Sequence, residues 1–229
     1  MIKRFIDIIL STTAILILSP LLIPIMLILK FTGEKYIFYK QERIGQNDTP
    51  FNLLKFATML IVSPNMEGGN ITAKSDPRIL PFGKFLRKYK INELPQIINI
   101  FFGDMSVVGR RPTVREHYDF YSQDVKNVIS KYKPGLSGIA SIVFRNEEQY
   151  FVYKDATQNK KFYEEIITPY KGELELWYCE NQSIFVDILL IIATILTVFS
   201  PSIKLHNYLF CTLPKHSLFN PAQSMDSVK

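Results

Sequence analysis

Two long apolar runs, residues 5–29 and residues 184–199, stand out in the pattern of hydrophobic and polar positions along the chain. The first run would be about 37 Å long as one continuous helix, which is enough to cross a bilayer. Lys3 and Arg4 precede it, as in a signal peptide. The run is too long for a signal peptide and no small-residue cleavage site follows it, so we predict a membrane segment.

The middle and the flanks of the first run bear on how it meets the membrane. Pro20 and Pro24 interrupt it, and proline inside a helix removes a backbone hydrogen bond and kinks the chain. Basic residues lie at both ends: Lys3, Arg4, Lys30, Lys35, Lys40 and Arg43. The positive-inside rule places only one end of a spanning helix in the cytoplasm. A helix broken at Ser19–Pro20 that enters and leaves by the same face satisfies both observations. The alternative that the residues leave open is a kinked transmembrane anchor.

The second run carries polar residues at helical spacing: Ser183, Asp187, Thr194 and Thr197. This spacing places them on one face of a helix. We predict a helix that lies in the membrane interface or packs on the folded domain. A wholly buried core helix is the alternative.

The chain between the runs predicts short strands and helices. Residues 35–56 suggest two extended segments around a turn at residues 45–50. Asn92 is expected to cap a helix from Glu93 to Phe102 that ends before Gly103. Further helices are predicted from the capping-box pair Thr113 and Glu116 to about residue 131, over residues 160–167, and from about residue 173. The predicted fold is α+β: a helix-rich, membrane-associated domain with a small β-hairpin or sheet and an N-terminal helix–break–helix.

The composition points to an anionic partner and away from metal clusters or disulfides. The 229 residues are 47% apolar and 21% charged, with a formal net charge of +6. Nucleic acid, phosphorylated small molecules and acidic lipids are the candidate anions. The cysteines and histidines show no ligand spacing, so neither a zinc site nor a disulfide scaffold is predicted. No helix-turn-helix, zinc-finger or RNP-like pattern occurs, so no nucleic-acid partner is predicted.

Basic residues cluster around single acids in the middle of the chain. Between residues 74 and 90 the lone acid Asp76 is outnumbered by Lys74, Arg78, Lys84, Arg87, Lys88 and Lys90. More arginines follow: Arg110, Arg111 and Arg115. Arginines clamp phosphoryl oxygens with paired donors, and a carboxylate can hold a divalent cation or attack phosphorus. The pattern suits a phosphate site, and a solvated basic face is the alternative.

Long sequence stretches then carry a family resemblance: YKQERIGQNDTPFNLLKFATM, SDPRILPFGKFLRKYKINELPQIINIFFGDMSVVGRRP and YKPGLSGIASIVFRNEE. In this order they resemble the bacterial sugar transferase family, the monotopic polyprenyl-phosphate phosphoglycosyl transferases, in its minimal form. KFYEEIITPYKGELELWYCENQSIFVDI resembles the closing segment of the family. The resemblance implies a re-entrant membrane helix over residues 1–32, a catalytic domain with interfacial helices over residues 33–200, and a C-terminal tail over residues 201–229.

The resemblance implies a reaction at the cytoplasmic face of the bacterial inner membrane. Members transfer a sugar 1-phosphate from a UDP-sugar to undecaprenyl phosphate, release UMP, use Mg²⁺, and so begin the assembly of a surface glycan. Their first helix is re-entrant and is broken at a Ser-Pro, here Ser19–Pro20. The implied partners are a UDP-sugar, undecaprenyl phosphate and inner-membrane lipids, with other glycan-assembly enzymes as further candidates.

The resemblance also assigns site residues. The acid pair of the family precedes Leu-Pro-Gln, and that position is Asn92–Glu93 here. Glu93 is the candidate metal ligand, and an ordinary acid at a helix N-terminus is the alternative interpretation. The expected catalytic residues are Glu93, Asn92, Arg87 and Arg111, with the arginines stabilising the transferring phosphoryl group. The expected substrate-binding residues are Lys55, Arg78, Arg110 and Arg145.

Asn92 departs from the family pattern, in which the first acid of the pair is the proposed nucleophile. A carboxamide cannot form an acyl phosphate, so we consider three outcomes: Glu93 takes over as nucleophile, the lipid phosphate attacks directly, or the protein is a catalytically impaired membrane scaffold that binds nucleotide-sugar or polyprenyl phosphate. Arg110 is a second departure, since the family usually has proline there. The intact basic framework favours an active enzyme.

Overall fold

The computed structural model describes residues 2–66, 76–151, 156–199 and 206–219. Within them the chain forms α-helices and short β-strands, so the predicted helix-rich α+β fold is confirmed. The helices are α1 (Ile2–Phe31), α2 (Pro81–Lys88), α3 (Gln96–Phe102), α4 (Arg115–Asp119), α5 (Gln123–Ile129), α6 (Ile139–Val143), α7 (Ala156–Phe162), α8 (Thr168–Asn181), α9 (Ile184–Phe199) and α10 (His206–Leu209). The strands are β1 (Phe38–Ile44), β2 (Pro50–Phe56), β3 (Ser106–Val108) and β4 (Gly135–Ser137).

The strands form two small sheets. β1 and β2 pair antiparallel from Phe38↔Phe56 to Ile44↔Pro50, which confirms the predicted hairpin. β3 and β4 pair in parallel, with Ser106 opposite Gly135. The second sheet requires glycine, because a Cβ at Gly135 would lie 2.0 Å from the backbone nitrogen of Gly109. The second sheet thus joins the segment after α3 to the segment before α6.

The helix α1 runs through Ser19–Pro20, where we expected a break between two helices. Pro20 has no backbone N–H, so the carbonyl of Leu16 loses its usual helical donor. The Ser19 hydroxyl donates to that carbonyl at 2.8 Å. A side chain replaces the missing backbone bond, so no helix ends at Ser19–Pro20 and the helical path continues through both prolines.

Both ends of α1 contact the folded domain. Near its start, Arg4 donates to the carbonyls of Ile100 and Phe101 on α3, at 2.6 and 2.8 Å. Near its end, Ile25 and Leu29 are buried together with other apolar side chains: Phe56 and Leu86. Leu16 and Ile17, in the middle of α1, are 68% and 69% exposed. The apolar centre of the helix is thus uncovered while its two ends are held. Among the described residues, α1 is long and apolar enough to cross a membrane.

The helix α9 packs its polar stripe against the domain. Asp187 accepts a hydrogen bond from the Tyr178 hydroxyl at 2.7 Å and forms an ion pair with Lys3 on α1 at 2.8 Å. Thr194 and Ser137 share a hydroxyl–hydroxyl hydrogen bond of 2.6 Å. The opposite face is apolar and exposed: Ile184, Phe185, Ile188, Ile192, Ile195 and Leu196. The predicted packing on the domain is confirmed, and the alternative of a wholly buried core helix is wrong.

The start of α3 differs from the prediction. Ile91–Glu93 form a separate 3₁₀ turn, and α3 begins after Pro95 with no side-chain cap. Proline already has the backbone angle of a first helical turn and needs no amide donor, so it starts the helix in place of Asn92. The predicted end is confirmed, since Gly103 adopts the left-handed conformation at φ 95°.

The predicted helix over residues 113–131 is two helices, α4 and α5. Ser122 ends the continuity, because its hydroxyl accepts a hydrogen bond from the amide of Val125 and caps α5. Thr113 is buried, and its hydroxyl has no hydrogen-bond partner within the described residues. The expected capping box therefore does not form.

The main core surrounds α6, α8 and α9. A π-helical turn, Tyr163–Ile167, connects α7 to α8, so the two helices predicted in this region start earlier than expected and are continuous. Phe210 and Phe219 also belong to this core. They lie in residues 201–229, which the family resemblance predicted to be a tail outside the catalytic domain. The described part of that region packs on the domain.

Candidate active site

The turn between α2 and α3 presents Glu93. Lys90 begins this turn in the left-handed conformation, at φ 58°. Asn92 is 6% exposed and points inward, and its side-chain oxygen has no hydrogen-bond partner within the described residues. Glu93 is half-buried and lines a pocket of about 180 Å³. The two neighbouring polar side chains therefore have different environments.

The carboxylate of Glu93 lies in a positive field. Burial by itself would raise its pKa. The surrounding cations outweigh burial and hold the pKa of Glu93 below its ordinary value; in order of effect they are Lys90, Arg111, Lys55 and Arg87. Glu93 is therefore ionised at neutral pH, and the structure brings three of the predicted site cations to it.

Arg111 is held through both its backbone and its side chain. Its backbone amide donates to Oε1 of Glu175 at 2.8 Å, and its guanidinium donates to the hydroxyl of Ser141 at 3.3 Å. Burial acts to lower the pKa of Arg111, but Glu93 and then Glu147 raise it above the ordinary value. Arg111 is therefore a fixed positive charge that lines the same pocket as Glu93.

The hairpin supplies two further cations to the site. Gln41 bridges them, since its side-chain oxygen accepts from Arg43 at 2.6 Å and from Lys55 at 3.3 Å. Burial, then Arg43, lowers the pKa of Lys55 to about 7, against the opposing effect of Glu93. Burial, then Arg111, lowers the pKa of Arg43 to about 10. These charges crowd one another without enough carboxylates to balance them, which favours an anionic ligand.

Arg87 and Arg145 complete the group. Arg87 contacts the sulfur of Met59 at 3.7 Å, and its charge acts on both Glu93 and Lys55. Arg145 lines the pocket, and burial lowers its pKa while Glu93 opposes that effect. We name the group of side chains around Glu93 the cation cluster: Lys55, Arg87, Lys90, Arg111 and Arg145, with Arg43 beside Lys55.

Arg78 is engaged elsewhere. Its guanidinium forms a buried ion pair with Asp76 at 2.6 Å and donates to the carbonyl of Ser63 at 3.0 Å. The hydrogen bond from Arg78 holds the pKa of Asp76 below its ordinary value. Arg78 does not line the pocket with Glu93, so this predicted substrate-binding residue lies outside the cation cluster in an ion pair with Asp76.

Arg110 also lies outside the pocket that Glu93 lines. It is 1% exposed and donates to the carbonyls of Ile44 and Gly45 at 3.0 and 2.8 Å, and its guanidinium lies 5.5 Å from the ring centre of Tyr118. Arg110 thus ties the end of β1 to the segment that carries Arg111. Its place in the structure is that of a positioning side chain outside the pocket.

The sequence missed a buried ion pair behind the pocket. Lys171 donates to Glu147 at 2.7 Å and to the hydroxyl of Tyr163 at 3.1 Å. Tyr163 lies in the π-helical turn before α8, a feature that often occurs at functional sites. Tyr163 and Lys171 lie on one continuous helical stretch, but no local pattern in the sequence connects them to Glu147, which comes from a separate segment.

Arg43 could have been found from the strand pattern. Tyr39, Gln41 and Arg43 alternate along β1, so they share one face of the hairpin. Lys55 pairs with Tyr39 in the register, which places Lys55 on that face too. The alternating spacing of residues along the predicted hairpin therefore indicates that Arg43 and Lys55 share one face.

The residues fit a divalent cation only in company with a phosphorylated ligand. Within the described residues, no group of three His, Cys, Asp or Glu side chains could hold a metal ion. Mg²⁺ commonly takes one or two protein oxygens and completes its shell with substrate phosphates and water. The Glu93 carboxylate, which lines the pocket, is an oxygen donor of this kind.

Sequence comparisons with known proteins identify a family for this chain. The sequence matches the bacterial sugar transferase family over residues 1–201. It is 33% identical over 209 residues to the exopolysaccharide production protein ExoY of Rhizobium meliloti, covering 85% of this chain and 84% of that protein. The chain therefore belongs to the bacterial sugar transferase family.

Other relatives are longer proteins with more specific names. The chain is 30% identical to the UDP-N-acetylgalactosamine-undecaprenyl-phosphate N-acetylgalactosaminephosphotransferase of Aeromonas hydrophila, covering 86% of this chain and 43% of that protein. It is 34% identical to the galactosyl transferase CpsE of Streptococcus agalactiae, covering 86% and 42% respectively. These relatives are named for different sugars, so similarity to them identifies a reaction type and not a sugar.

Proposed function

We propose that this protein transfers a sugar 1-phosphate from a UDP-sugar to undecaprenyl phosphate, with release of UMP. The observation that carries the proposal is the cation cluster around one ionised carboxylate at a pocket, in a chain of the bacterial sugar transferase family. Both substrates are anions, and their phosphates repel each other on approach. Fixed positive charges at the pocket reduce that repulsion, which is the dominant need in phosphoryl transfer.

Each cation has a role that follows from its position. Arg111 and Arg145 line the pocket and bind the diphosphate of the donor, while Arg87 and Lys55 add positive potential from the sides of α2 and the hairpin. Glu93 would hold Mg²⁺ jointly with the diphosphate, and the ion, when bound, would supply further charge neutralisation at the phosphoryl oxygens. Glu175 and Arg110 hold the Arg111 segment without touching the substrates.

The bond changes can follow either of two routes. In the first, a Glu93 oxygen attacks the sugar-bearing phosphorus, the bond to the UMP oxygen breaks, and the lipid phosphate then displaces Glu93 from the acyl phosphate. In the second, a lipid phosphate oxygen attacks that phosphorus directly as UMP leaves. Asn92 serves neither route as nucleophile, because a carboxamide oxygen carries no negative charge.

The membrane arrangement is part of the proposal. The exposed apolar centre of α1, its two anchored ends and the exposed apolar face of α9 support a helix that dips into one leaflet and returns, with α9 at the interface. The pocket includes Thr194 and Thr197 on the domain-facing side of α9, so it lies about one helix width from the exposed apolar face. The phosphate of a membrane lipid then reaches the cation cluster without leaving the bilayer. We propose the cytoplasmic face of the inner membrane, where a UDP-sugar is available.

The reaction is tested with purified protein in lipid nanodiscs, undecaprenyl phosphate, Mg²⁺ and a panel of radiolabelled UDP-sugars. We expect label in the lipid fraction and stoichiometric UMP for at least one sugar. Arg111→Ala removes a cluster charge, and Arg115→Ala is the matched control, because Arg115 is exposed and pairs with Asp119. Binding of UDP-sugar without UMP release across the panel would instead support the impaired scaffold.

The route is tested in the same system. Incubation with labelled UDP-sugar in the absence of lipid phosphate yields protein-bound label if Glu93 attacks, and the label disappears in Glu93→Gln. Label that never binds to protein, together with normal turnover, supports direct attack. Asn92→Asp restores the acid pair: a large gain in rate indicates that the amide impairs the site, and a loss indicates a site adapted to the amide.

The topology is tested by cysteine labelling after Cys211→Ser removes the exposed native thiol. With a reagent that does not cross the membrane, single cysteines at Ile2 and at Lys40 are both expected to react in inverted vesicles, where the cytoplasmic face is outside. Neither is expected to react in right-side-out vesicles. Reaction of the Ile2 position from the periplasmic side would establish a spanning helix and overturn the re-entrant arrangement.

A further inference from the structure

Residues 206–219, which we name the C-terminal segment, lie beyond the 1–201 range that matches the family. They begin with α10 and pack against α6 and α8. Phe210 and Phe219 are 5% and 4% exposed, so they are core residues and not surface residues. A segment outside the family match therefore takes part in the core that surrounds the pocket.

The first half of the C-terminal segment is fastened to α8. The ring centres of Phe210 and Trp177 are 5.4 Å apart, and the indole N–H of Trp177 donates to the hydroxyl of Thr212 at 3.0 Å. The hydroxyl of Tyr170 donates to the carbonyl of Pro214 at 2.9 Å. These contacts orient the chain so that its next turn reaches the wall of the pocket.

Phe219 then lies within a group of aromatic rings. Its ring centre is 5.0 Å from that of Phe144, 5.0 Å from that of Tyr150 and 5.4 Å from that of Tyr170. The ring of Tyr170 is parallel to that of Phe219, within 1°. Edge-to-face and stacked contacts at these distances are favourable geometries for aromatic pairs. Phe219 fills the space between α8 and the segment after α6.

Phe144 connects this aromatic group to the active site. It lines the pocket, and the next residue, Arg145, is a member of the cation cluster. Phe144 is 4% exposed, so its position depends on the side chains packed behind it. Among those neighbours, Phe219 comes from outside the residues that match the family.

We propose that Phe219 is a positioning residue that holds Phe144 in the pocket wall and so sets the placement of Arg145 at the substrate. This inference rests on the proposed function of the pocket. Truncation of Phe219 leaves a space behind Phe144, and a buried side chain next to such a space moves into it or becomes mobile. Movement of Phe144 displaces the backbone that carries Arg145 and weakens the binding of the donor diphosphate.

The structural part of the proposal is tested by hydrogen exchange of the full chain in nanodiscs. In Phe219→Ala we expect backbone amides of residues 144–147 to exchange at least about fivefold faster than in the unsubstituted protein, as local opening becomes easier. Phe210→Ala is the matched control, since it removes an equally buried ring from the same segment, and we expect faster exchange near Trp177 instead. Unchanged exchange at residues 144–147 in Phe219→Ala, or equal effects there in both variants, would overturn the proposal.

The functional part is tested by kinetics with the UDP-sugar that the panel identifies. We expect Phe219→Ala to raise KM for the donor by about tenfold with a smaller change in kcat, the pattern for loss of substrate binding. Phe219→Leu, which fills much of the space and keeps the fold, should restore KM to within about threefold. A lowered Tm with unchanged KM in both variants would show a purely structural role and refute the proposal. Absence of UMP with every UDP-sugar refutes the proposed function, and the exchange experiment still decides whether Phe219 holds the wall.

Discussion

The backbone amide of Arg111 donates a hydrogen bond to Oε1 of Glu175, at 2.8 Å, and the other carboxyl oxygen of Glu175 has no partner within the described residues. Glu175 is 1% exposed. Burial raises its pKa from 4.5 to about 7, against the hydrogen bond from Arg111 and the charges of Arg110 and Lys171. The side chain that holds the pocket arginine therefore titrates near neutral pH.

The stability of the protein should depend on pH through Glu175. Its pKa is higher in the folded state than in the unfolded state, so the folded state binds more protons between pH 4.5 and about 7. The stabilisation is fully present below pH 4.5 and is lost as pH rises to about 7, by on the order of 3 kcal/mol. Denaturation of Glu175→Gln in nanodiscs across this range should show a flatter pH dependence than the unsubstituted protein.

The control for Glu175→Gln is Glu173→Gln, which changes an exposed acid on the same helix. The flattening should be confined to the Glu175 variant. Equal pH dependence in the Glu175 variant and the unsubstituted protein would mean that Glu175 titrates at an ordinary pKa.

Loss of the Arg111 side chain should reduce catalysis strongly. We expect Arg111→Ala to lower kcat/KM by roughly 10²-fold or more, because a preorganised charge at the transferring phosphoryl group is lost. Arg111→Lys should recover only part of this, since a lysine cannot reproduce the paired donors of a guanidinium. Initial rates of UMP release measure the effect, with Arg115→Ala as reference. Comparable losses of kcat/KM in Arg111→Ala and Arg115→Ala would show that Arg111 is not part of the active site.

Lys55 should produce an alkaline limb in the pH profile. With a pKa of about 7, it loses its charge in the free enzyme as pH rises through neutrality. We expect kcat/KM for the donor to fall about tenfold between pH 6.5 and pH 8, since this parameter reports ionisations of the free enzyme. Lys55→Arg keeps the charge at every pH tested and should flatten the limb.

Lys40→Arg is the control, because it makes the same lysine-to-arginine change at an exposed position of the same hairpin. Its profile should match that of the unsubstituted protein. A limb that persists unchanged in Lys55→Arg would assign it to another group, such as the acceptor phosphate.

The path of α1 should depend on its prolines. In Pro20→Ala, the restored amide can donate to the carbonyl of Leu16 and replace the hydroxyl of Ser19. With Pro24→Ala as well, a straight helix of 30 residues would be about 45 Å long, enough to span a bilayer. We expect a fraction of such molecules to expose a cysteine at position 2 on the periplasmic side.

Thr12→Ala is the control for the proline variants, since it changes α1 without adding a backbone donor. Its labelling pattern should equal that of the unsubstituted protein. If the doubled proline variant also labels only from the cytoplasmic side, the contacts of Arg4 and Asp7 with the domain, and not the prolines, determine the path.

Local patterns predicted several elements correctly. Turn residues at positions 45–50 between two extended segments were enough to predict the hairpin, because two-stranded pairing is set by nearby residues. The polar spacing on α9 was enough to predict a helix with one face against the domain. Sequence patterns failed where two local signals competed: Asn92 and Pro95 both favour a helix start, and the proline prevailed.

The candidate site was only partly predictable. Motifs identified Lys55, Arg87, Arg111 and Arg145, and the structure gathers them around Glu93. The motifs also predicted Arg78 and Arg110 as substrate-binding residues. In the structure Arg78 pairs with Asp76, and Arg110 donates to a carbonyl at the end of β1. A charged residue in a motif is recognisable from spacing, but the direction of its side chain depends on partners distant in sequence.

The sequence alone determined the family, the apolar helices, the hairpin and the excess of positive charge over acid, because each depends on composition or on neighbours within a few residues. The tertiary structure decided that Arg110 supports the pocket segment from outside, that Arg43 and the Glu147–Lys171 pair join the site, and that Phe219 packs behind Phe144. Those contacts join segments separated by tens of residues, and only the packing of the whole core brings them together.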